Sequence, residues 1–295
     1  MQSAEPVRRT SDIEEVTNRY LIHPVAASLV PLFAALHVTP NAVSLTGMLF
    51  GILAGFAYYH YADLPFAVAG FVLMIAWHVM DGADGQLARL THAQSELGKI
   101  LDGICDYVTF IAVYVGLALA LSHRFGERIW ILVVVSGICH AVQSAAYEAQ
   151  RQEYAFWGLG RASAKIPDVE MASSAVARSP LQWVLAQLYR QYVRLQWTVC
   201  GITPAVHNEL SALLDDGPAP PGEKIRARYR EVFAPTVRRW SILSSNYRTL
   251  GIFAAALLKA PEYYFCFEIA GFGAILIVLL RRQRRRYAAF LGEFS

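Results

Sequence analysis

The sequence predicts an all-α integral membrane protein. It has six transmembrane helices, an N-terminal interfacial amphipathic helix, and a helical cytoplasmic insertion between the fourth and fifth spans. Three observations carry that reading. The 295 residues are 55% hydrophobic and 17% charged, with mean hydropathy +0.34, too apolar for an ordinary soluble domain. Six stretches, roughly 41–60, 64–82, 99–121, 129–148, 239–258 and 262–280, come near the ~20 apolar residues that a bilayer crossing needs. Basic residues are also unevenly placed. With six spans, the loops near 61–63, 122–128 and 259–261 share one side and hold only Arg124, Arg128 and Lys259 of the 26 lysines and arginines. The side with both termini is therefore expected to be cytoplasmic.

Composition also excludes some classes. A net charge of +3 with no basic-aromatic pattern gives no footprint for nucleic acid; the basic residues suit anionic lipid headgroups better. Cys105, Cys139, Cys200 and Cys266 show no paired metal spacing and are read as reduced packing residues. Arg8 and Arg9 precede a polar, acidic stretch rather than an apolar core, so no cleavable signal peptide is expected.

From the N-terminus, residues 1–10 read as disordered, and Ser11-Asp12-Ile13-Glu14 has the form of a capping box opening a short helix to about Leu21. Pro24 to Leu36 is apolar but too short to span, and is expected to lie in the membrane interface. These residues make up an N-terminal segment, 1–38. Thr39-Pro40-Asn41 opens the first span, with Thr39 as cap and Pro40 in the first turn. Spans one to four occupy 39–150. The fourth carries His140, Gln143, Ser144 and Tyr147 on one stripe, and His140 is read as a helix–helix hydrogen-bonding residue.

Residues 151–237 interrupt the membrane pattern. Leu181, Val184, Leu185, Leu188, Tyr192 and Leu195 recur at helical spacing, which predicts an amphipathic helix over 180–198. Further helices are expected from Thr203 to Leu214 and from about Gly222 to Phe233, separated by a Pro/Gly-rich break at 217–222. Spans five and six fall in 238–282. The fifth is the weakest, because Arg239, Asn246 and Arg248 load its first half. Arg248 either snorkels to the surface or binds a phosphate. Glu268, within the last span, is expected to pair with a polar neighbour. Arg281 to Arg286 leads into a basic cytoplasmic tail, 283–295.

The chemistry concentrates between Asp81 and Asp106. Leu64 to Met80 and Tyr107 to Leu121, on either side, contain no Asp, Glu, Lys or Arg. A charge inside a membrane helix costs roughly 2.5–3.5 kcal/mol, so Asp81, Asp84, Asp102 and Asp106 need compensation. Asp81 and Asp84 (i, i+3) share one helical face, as do Asp102 and Asp106 (i, i+4). Antiparallel packing of the two helices, joined through Thr91 to Glu96, would bring four carboxylates to one point. Hard oxygen ligands gathered so suit Mg²⁺, Mn²⁺ or Ca²⁺, and two cations suit phosphate chemistry. Gly85 and Gly98 leave room for a ligand near the backbone. Ala88 keeps the wall low, and Arg89 offers a phosphate-matching fork. A divalent-cation transporter would also explain intramembrane carboxylates, but gives no reason for Gly85, Ala88, Arg89 and Gly98.

Read as D-x-x-D-G-x-x-A-R-x8-G-x-x-x-D-x-x-x-D, this stretch resembles the signature of the CDP-alcohol phosphotransferase superfamily, integral membrane enzymes of phospholipid synthesis. The resemblance implies transfer of a substituted phosphate from a CDP-alcohol, with release of CMP, in the cytoplasmic face of a bacterial-type inner membrane. It implies two Mg²⁺ (or Mn²⁺) ions, one held by Asp81, Asp84 and Asp102 and the other by Asp81, Asp102 and Asp106. Asp106 would take the proton of the attacking hydroxyl, and Gly85, Ala88, Arg89 and Gly98 would line the nucleotide site. Asn41 would face the nucleotide phosphates, or else serves only helix initiation. The expected donor is CDP-diacylglycerol; the alternative is CDP-choline or CDP-ethanolamine transfer to diacylglycerol or a ceramide. A phosphorylated acceptor would want further cations, for which Arg151, Lys165 and Arg248 are candidates. The partners expected are membrane lipid, the CDP-linked substrate and, by resemblance, a second copy in a homodimer. The insertion over 151–237 departs from compact members of the superfamily.

Overall fold

A computed structural model describes residues 13–167, 180–214 and 220–294. Those residues form eleven α-helices and no strand. The serine and aspartate of the proposed capping box, Ser11 and Asp12, lie outside the described residues, as does the segment 1–10. The chain divides into two compact units, residues 1–138 with 245–269 and residues 139–244 with 270–295.

In the first unit, α1 (His23–Ala35) follows a π turn at Asn18–Ile22. Helix α2 (Pro40–Tyr59) starts as its sequence requires: the Ala42 amide donates to Thr39 Oγ1 at 3.3 Å, and Pro40 occupies the first turn, where a missing N–H costs nothing. Helix α3 (Leu64–Leu90) and α4 (Glu96–Phe125) follow. Ser95 caps α4 by accepting from the Gly98 amide at 3.0 Å. Both α3 and α4 pack along the length of α2, and they touch one another far less.

Glycines allow that packing. A Cβ on Gly47 would stand 3.0 Å from Met80 Cβ on α3, and one on Gly55 only 2.5 Å from the Ala112 carbonyl oxygen on α4. Gly116 reciprocates against the Gly55 carbonyl. Small residues at four-residue spacing let two helical backbones approach in this way. The core beside them includes Tyr58, Met74, Trp77, Phe110, Leu117 and Phe265. A second cluster joins Ile22, Ala26 and Val30 to Val43 of α2 and Val79, Ala83 and Leu87 of α3. The segment ahead of α2 thus backs the acidic end of α3.

Among the described residues, four stretches are long and apolar enough to cross a membrane: Pro40–Tyr59, Leu64–Leu90, Gly98–Gly158 and Glu262–Gly292. The third contains two helices, α4 and α5 (Ile129–Glu153), joined by a 3-10 turn at Gly126–Arg128. The expected fifth span over 239–258 does not form as one helix. Instead α8 (Pro220–Trp240) runs past the expected end at Phe233, because Tyr229, Phe233, Val237 and Trp240 form a continuous buried stripe. A 3-10 turn at Ser241–Leu243 and an extended Ser244 then break the chain before α9 (Ser245–Leu257). Thirteen residues of α9 reach about 20 Å, short of the ~30 Å hydrocarbon core.

Buried polar groups fix α9 to the rest of the first unit. Arg248 Nε donates to Glu268 Oε1 at 3.1 Å, with both side chains fully buried. The hydroxyls of Tyr114 (3.3 Å) and Tyr264 donate to the other oxygen of Glu268. Glu268 thus has the polar neighbour that a carboxylate buried in an apolar helix requires. Asn246 Nδ2 lies 2.7 Å from Glu15 Oε2 and from Asn18 Oδ1, and His78 Nε2 lies 2.9 Å from Thr249 Oγ1.

The second unit contains α6 (Pro180–Val199), α7 (Pro204–Leu214), α8 and α11 (Gly273–Gly292). Its helices are cross-linked by side chains. Arg226 and Arg230 donate to the carbonyls of Trp157 (2.8 Å) and Gly158 (2.9 Å), satisfying orphan acceptors at the end of a π turn, Tyr154–Gly158. Tyr229 and Tyr287 meet hydroxyl to hydroxyl at 2.8 Å. The basic run is not a tail apart from the fold: α11, which follows α10 (Glu262–Phe267) and a π turn, continues through Arg281–Arg286 to Gly292, burying Gln283, Tyr287 and Phe290.

Candidate functional site

The four aspartates come together at one end of the first unit. Asp81 and Asp84 sit in the last turns of α3, and Asp102 and Asp106 in the first turns of α4. One carboxylate oxygen each from Asp81, Asp102 and Asp106 lies within 4.8 Å of the others, and all three side chains are half-buried. At that spacing each charged pair repels by about 3 kcal/mol at an effective dielectric constant near 20. Three such pairs in partial burial need a counter-charge, and oxygen-only donors select a hard divalent cation. The residues present therefore fit the ion that the sequence pattern calls for.

Asp84 is placed differently. It is 5% exposed, and its Oδ2 accepts a hydrogen bond from the Ser44 hydroxyl of α2. Ser44, Gly47, Trp77 and Cys105 complete the lining of a small pocket around the four aspartates. None of these four had been singled out from the sequence as part of the site. Ser44 carried a signal, because it stands three residues from Asn41 on the same helical face. The carboxylates of α3 and α4 meet as that spacing leads one to expect, Asp84 within hydrogen-bonding reach of Asp102, and α2 lies against both helices behind them.

The remaining motif residues surround this group. The side chain of Asn41 reaches the start of α4, where a Cβ on Gly98 would stand 3.5 Å from Asn41 Oδ1. Arg89 folds back over Gly85, so that a Cβ there would meet Nη1 at 3.4 Å. Ala88 is half-buried in the same turn of α3. Of the basic residues suggested for an acceptor, Arg248 is withdrawn into the ion pair with Glu268 and has no exposed surface, so it does not snorkel. Arg151 and Lys165 belong to the second unit. There Arg151 Nη1 pairs with Glu148 at 2.8 Å, and Lys165 is exposed. His140 is 7% exposed on the buried polar stripe that its spacing predicts.

Comparison with known proteins places these residues in a family. Residues 37–192 match the family model described as CDP-alcohol phosphatidyltransferase. The chain is 29% identical over 120 residues to CDP-diacylglycerol–serine O-phosphatidyltransferase of Mycobacterium tuberculosis, which is 40% of either protein. It is 33% identical over 86 residues to archaetidylinositol phosphate synthase of Pyrococcus horikoshii, 29% of this chain and 44% of that one. The chain thus spans less than half the length of each of these curated relatives. Among solved structures it is similar to Mycobacterium tuberculosis phosphatidylinositol phosphate synthase with CDP-DAG bound. Identity is 19%, coverage 60% of this chain and 94% of that one, and TM-score 0.36.

Proposed function

This chain belongs to the CDP-alcohol phosphatidyltransferase family, and on that premise we propose that it transfers a substituted phosphate from a CDP-alcohol to an acceptor alcohol, releasing CMP. The observation that carries the reading is the convergence of Asp81, Asp102 and Asp106 from two helices within 4.8 Å, inside a complete motif whose other members stand around them. CDP-diacylglycerol is the donor we assign first, with a polar alcohol as acceptor; the similarity to a CDP-diacylglycerol–serine O-phosphatidyltransferase supports that order.

Asp81, Asp102 and Asp106 would hold one divalent cation, Mg²⁺ or Mn²⁺, and Asp81, Asp84 and Asp102 a second. Bound there, the cations supply charge neutralisation for the pyrophosphate and for the departing CMP. Asn41, Gly85, Ala88, Arg89 and Gly98 form the wall that receives the nucleotide: two glycines and an alanine keep it low, and Arg89 provides fork-shaped donors for phosphate oxygens. Asp106 accepts the proton of the acceptor hydroxyl. The acceptor oxygen then forms a bond to the β-phosphorus of the CDP-alcohol as the bond from that phosphorus to the oxygen bridging it to CMP breaks. Because the acceptor attacks directly, no residue of the chain needs to become covalently modified. Arg151 and Lys165 are our candidates for the phosphate of a phosphorylated acceptor, and Arg248 serves to hold α9 through Glu268. We place the site on the cytoplasmic side, opposite the loops near 61–63 and 122–128, on the distribution of lysine and arginine, and the protein in a homodimer.

The test is purified full-length protein with labelled CDP-diacylglycerol, Mg²⁺ and a panel of acceptors, following CMP and the lipid product. One acceptor should support CMP release, and Asp106→Asn should lower the rate at least ~10²-fold, as removal of a general base does. In parallel, CDP with Mg²⁺ should raise the melting temperature above that with Mg²⁺ alone. A protein stabilised by metal but indifferent to CDP, and releasing no CMP with any acceptor, would instead fit a cation-transit role.

A further inference from the structure

We propose that Ser44 is a positioning residue for the cation site: its hydroxyl holds Asp84 in register, ready to complete the second of the two cation positions. The proposal rests on the reading of the four aspartates as cation ligands, and it assigns a duty to a residue outside their motif.

Three of the four carboxylates cluster, and the fourth, Asp84, lies within hydrogen-bonding reach of both Asp102 and Ser44. Asp81, Asp102 and Asp106 already approach one another within 4.8 Å. Asp84 is buried at 5% exposure, with Oδ2 engaged by Ser44 Oγ. Ser44 is itself 7% exposed and lies on α2, a helix without a single charged residue between Pro40 and Tyr59. A serine in such a helix ordinarily returns its proton to the carbonyl four residues back. Here that carbonyl, on Pro40, is also within reach, at 3.2 Å.

A hydroxyl carries one proton and can satisfy only one of these acceptors at a time. Ser44 is therefore a two-position rotor. Donating to Asp84, it orients a buried carboxylate. Donating to Pro40, it keeps its own proton bonded and lets go of that orientation, so the hold on Asp84 is present only in the first position, where Oδ2 is engaged and Oδ1 is left to face a cation. Gly47, three residues on, lets α3 come close enough for the hydroxyl to reach Asp84; a Cβ at Gly47 would meet Met80 Cβ at 3.0 Å. Partners that orient a ligand through a hydrogen bond commonly change metal affinity by about 10–100-fold when removed.

The experiment is Mn²⁺ binding to full-length protein in lipid nanodiscs, read from the loss of the free-ion electron paramagnetic resonance signal, with melting temperature recorded alongside. Ser44→Ala should weaken one class of Mn²⁺ sites about 10–100-fold and leave the other unchanged. Ser44→Thr, which keeps the hydroxyl, should bind as wild type. If Ser44→Ala does not fold, Ser44→Cys, similar in size and a weaker donor, should show the same selective weakening. Superimposable wild-type and Ser44→Ala isotherms overturn the role of Ser44 and leave the cation reading standing. Equal weakening of every class, in step with a lower melting temperature, also overturns it, as a general packing effect. Wild-type protein that binds no Mn²⁺ overturns the cation reading and this role together.

Discussion

Replacing Gly55 with alanine tests how the site is held. A Cβ at Gly55 would stand 2.5 Å from the Ala112 carbonyl oxygen and 2.7 Å from its carbon. Ordinary contact begins near 3.4 Å, so α2 and α4 must part by about 0.9 Å. The obstacle is backbone, and no rotamer relieves it. Overpacking of this kind costs about 1–3 kcal/mol, partly offset by the ~0.5–1 kcal/mol by which alanine favours a helix over glycine. A net loss of about 1–2 kcal/mol is expected. The consequence for the site is sharper. Ala112 lies six residues from Asp106, about 9 Å along α4. Even half of the displacement, arriving at Asp102 and Asp106, exceeds the ±0.2 Å tolerance of metal–ligand distances. Thermal unfolding with and without Mn²⁺ should show a lower melting temperature and a loss of Mn²⁺-dependent stabilisation. Gly137→Ala is the control, because nothing lies within 4 Å of its Cβ; it should match or slightly exceed wild type. A Gly55→Ala protein that melts as wild type and keeps its full response to Mn²⁺ would refute the reasoning.

Three further outcomes follow from the same structure. Arg248→Ala should destabilise by about 3–5 kcal/mol, because it strands Glu268 in the interior, whereas Arg248→Met with Glu268→Leu should recover most of that loss in thermal unfolding. An insertion of one glycine between Ala93 and Gln94 should leave CMP release within a few-fold of wild type, since contacts of α3 and α4 with α2, not the loop, align the aspartates; abolished activity in a folded protein would contradict this. Cys200 is fully buried and its thiol lies 3.3 Å from the Trp197 carbonyl as donor. Burial pushes its pKa up, so the neutral thiol persists through the pH range where an exposed cysteine ionises. Maleimide should therefore fail to label Cys200 between pH 7 and 9 until the protein unfolds, as read by mass spectrometry.

Much of the site was legible because its information is local. Spacings of three and four residues place Asp81 with Asp84 and Asp102 with Asp106 on single helical faces, and the neighbouring glycines and Arg89 mark what approaches them. The helices over 180–199 and 204–214 were legible for a related reason, since amphipathic periodicity survives without knowledge of the partner surface. What sequence spacing does not contain is the register of one helix against another. Ser44 reads as an ordinary helical serine until α3 is laid beside it. Arg248 reads as an anion binder or a snorkelling residue, because its partner lies twenty residues on, beyond a turn. The expected fifth span failed for a different cause: hydropathy averaged over 239–258 hides the break at 241–244, where α8 ends its own buried stripe.

The division of labour in the first unit follows from these contacts. A cation site needs carboxylates held against their own repulsion, and the most extensive contacts holding α3 and α4 in place are those that each makes with α2. The opposing force is supplied by α2, which carries no charge. Its Gly47 lets α3 approach, its Gly55 lets α4 approach, and to the pocket lining around the aspartates it contributes a hydroxyl and a hydrogen atom, Ser44 and Gly47. An uncharged scaffold is the arrangement that adds no competing ligand and no counter-ion. A basic residue on α2 would neutralise the aspartates permanently, and an acidic one would add to the repulsion. The carboxylates thus remain available to a cation because the helix that gathers them cannot replace it.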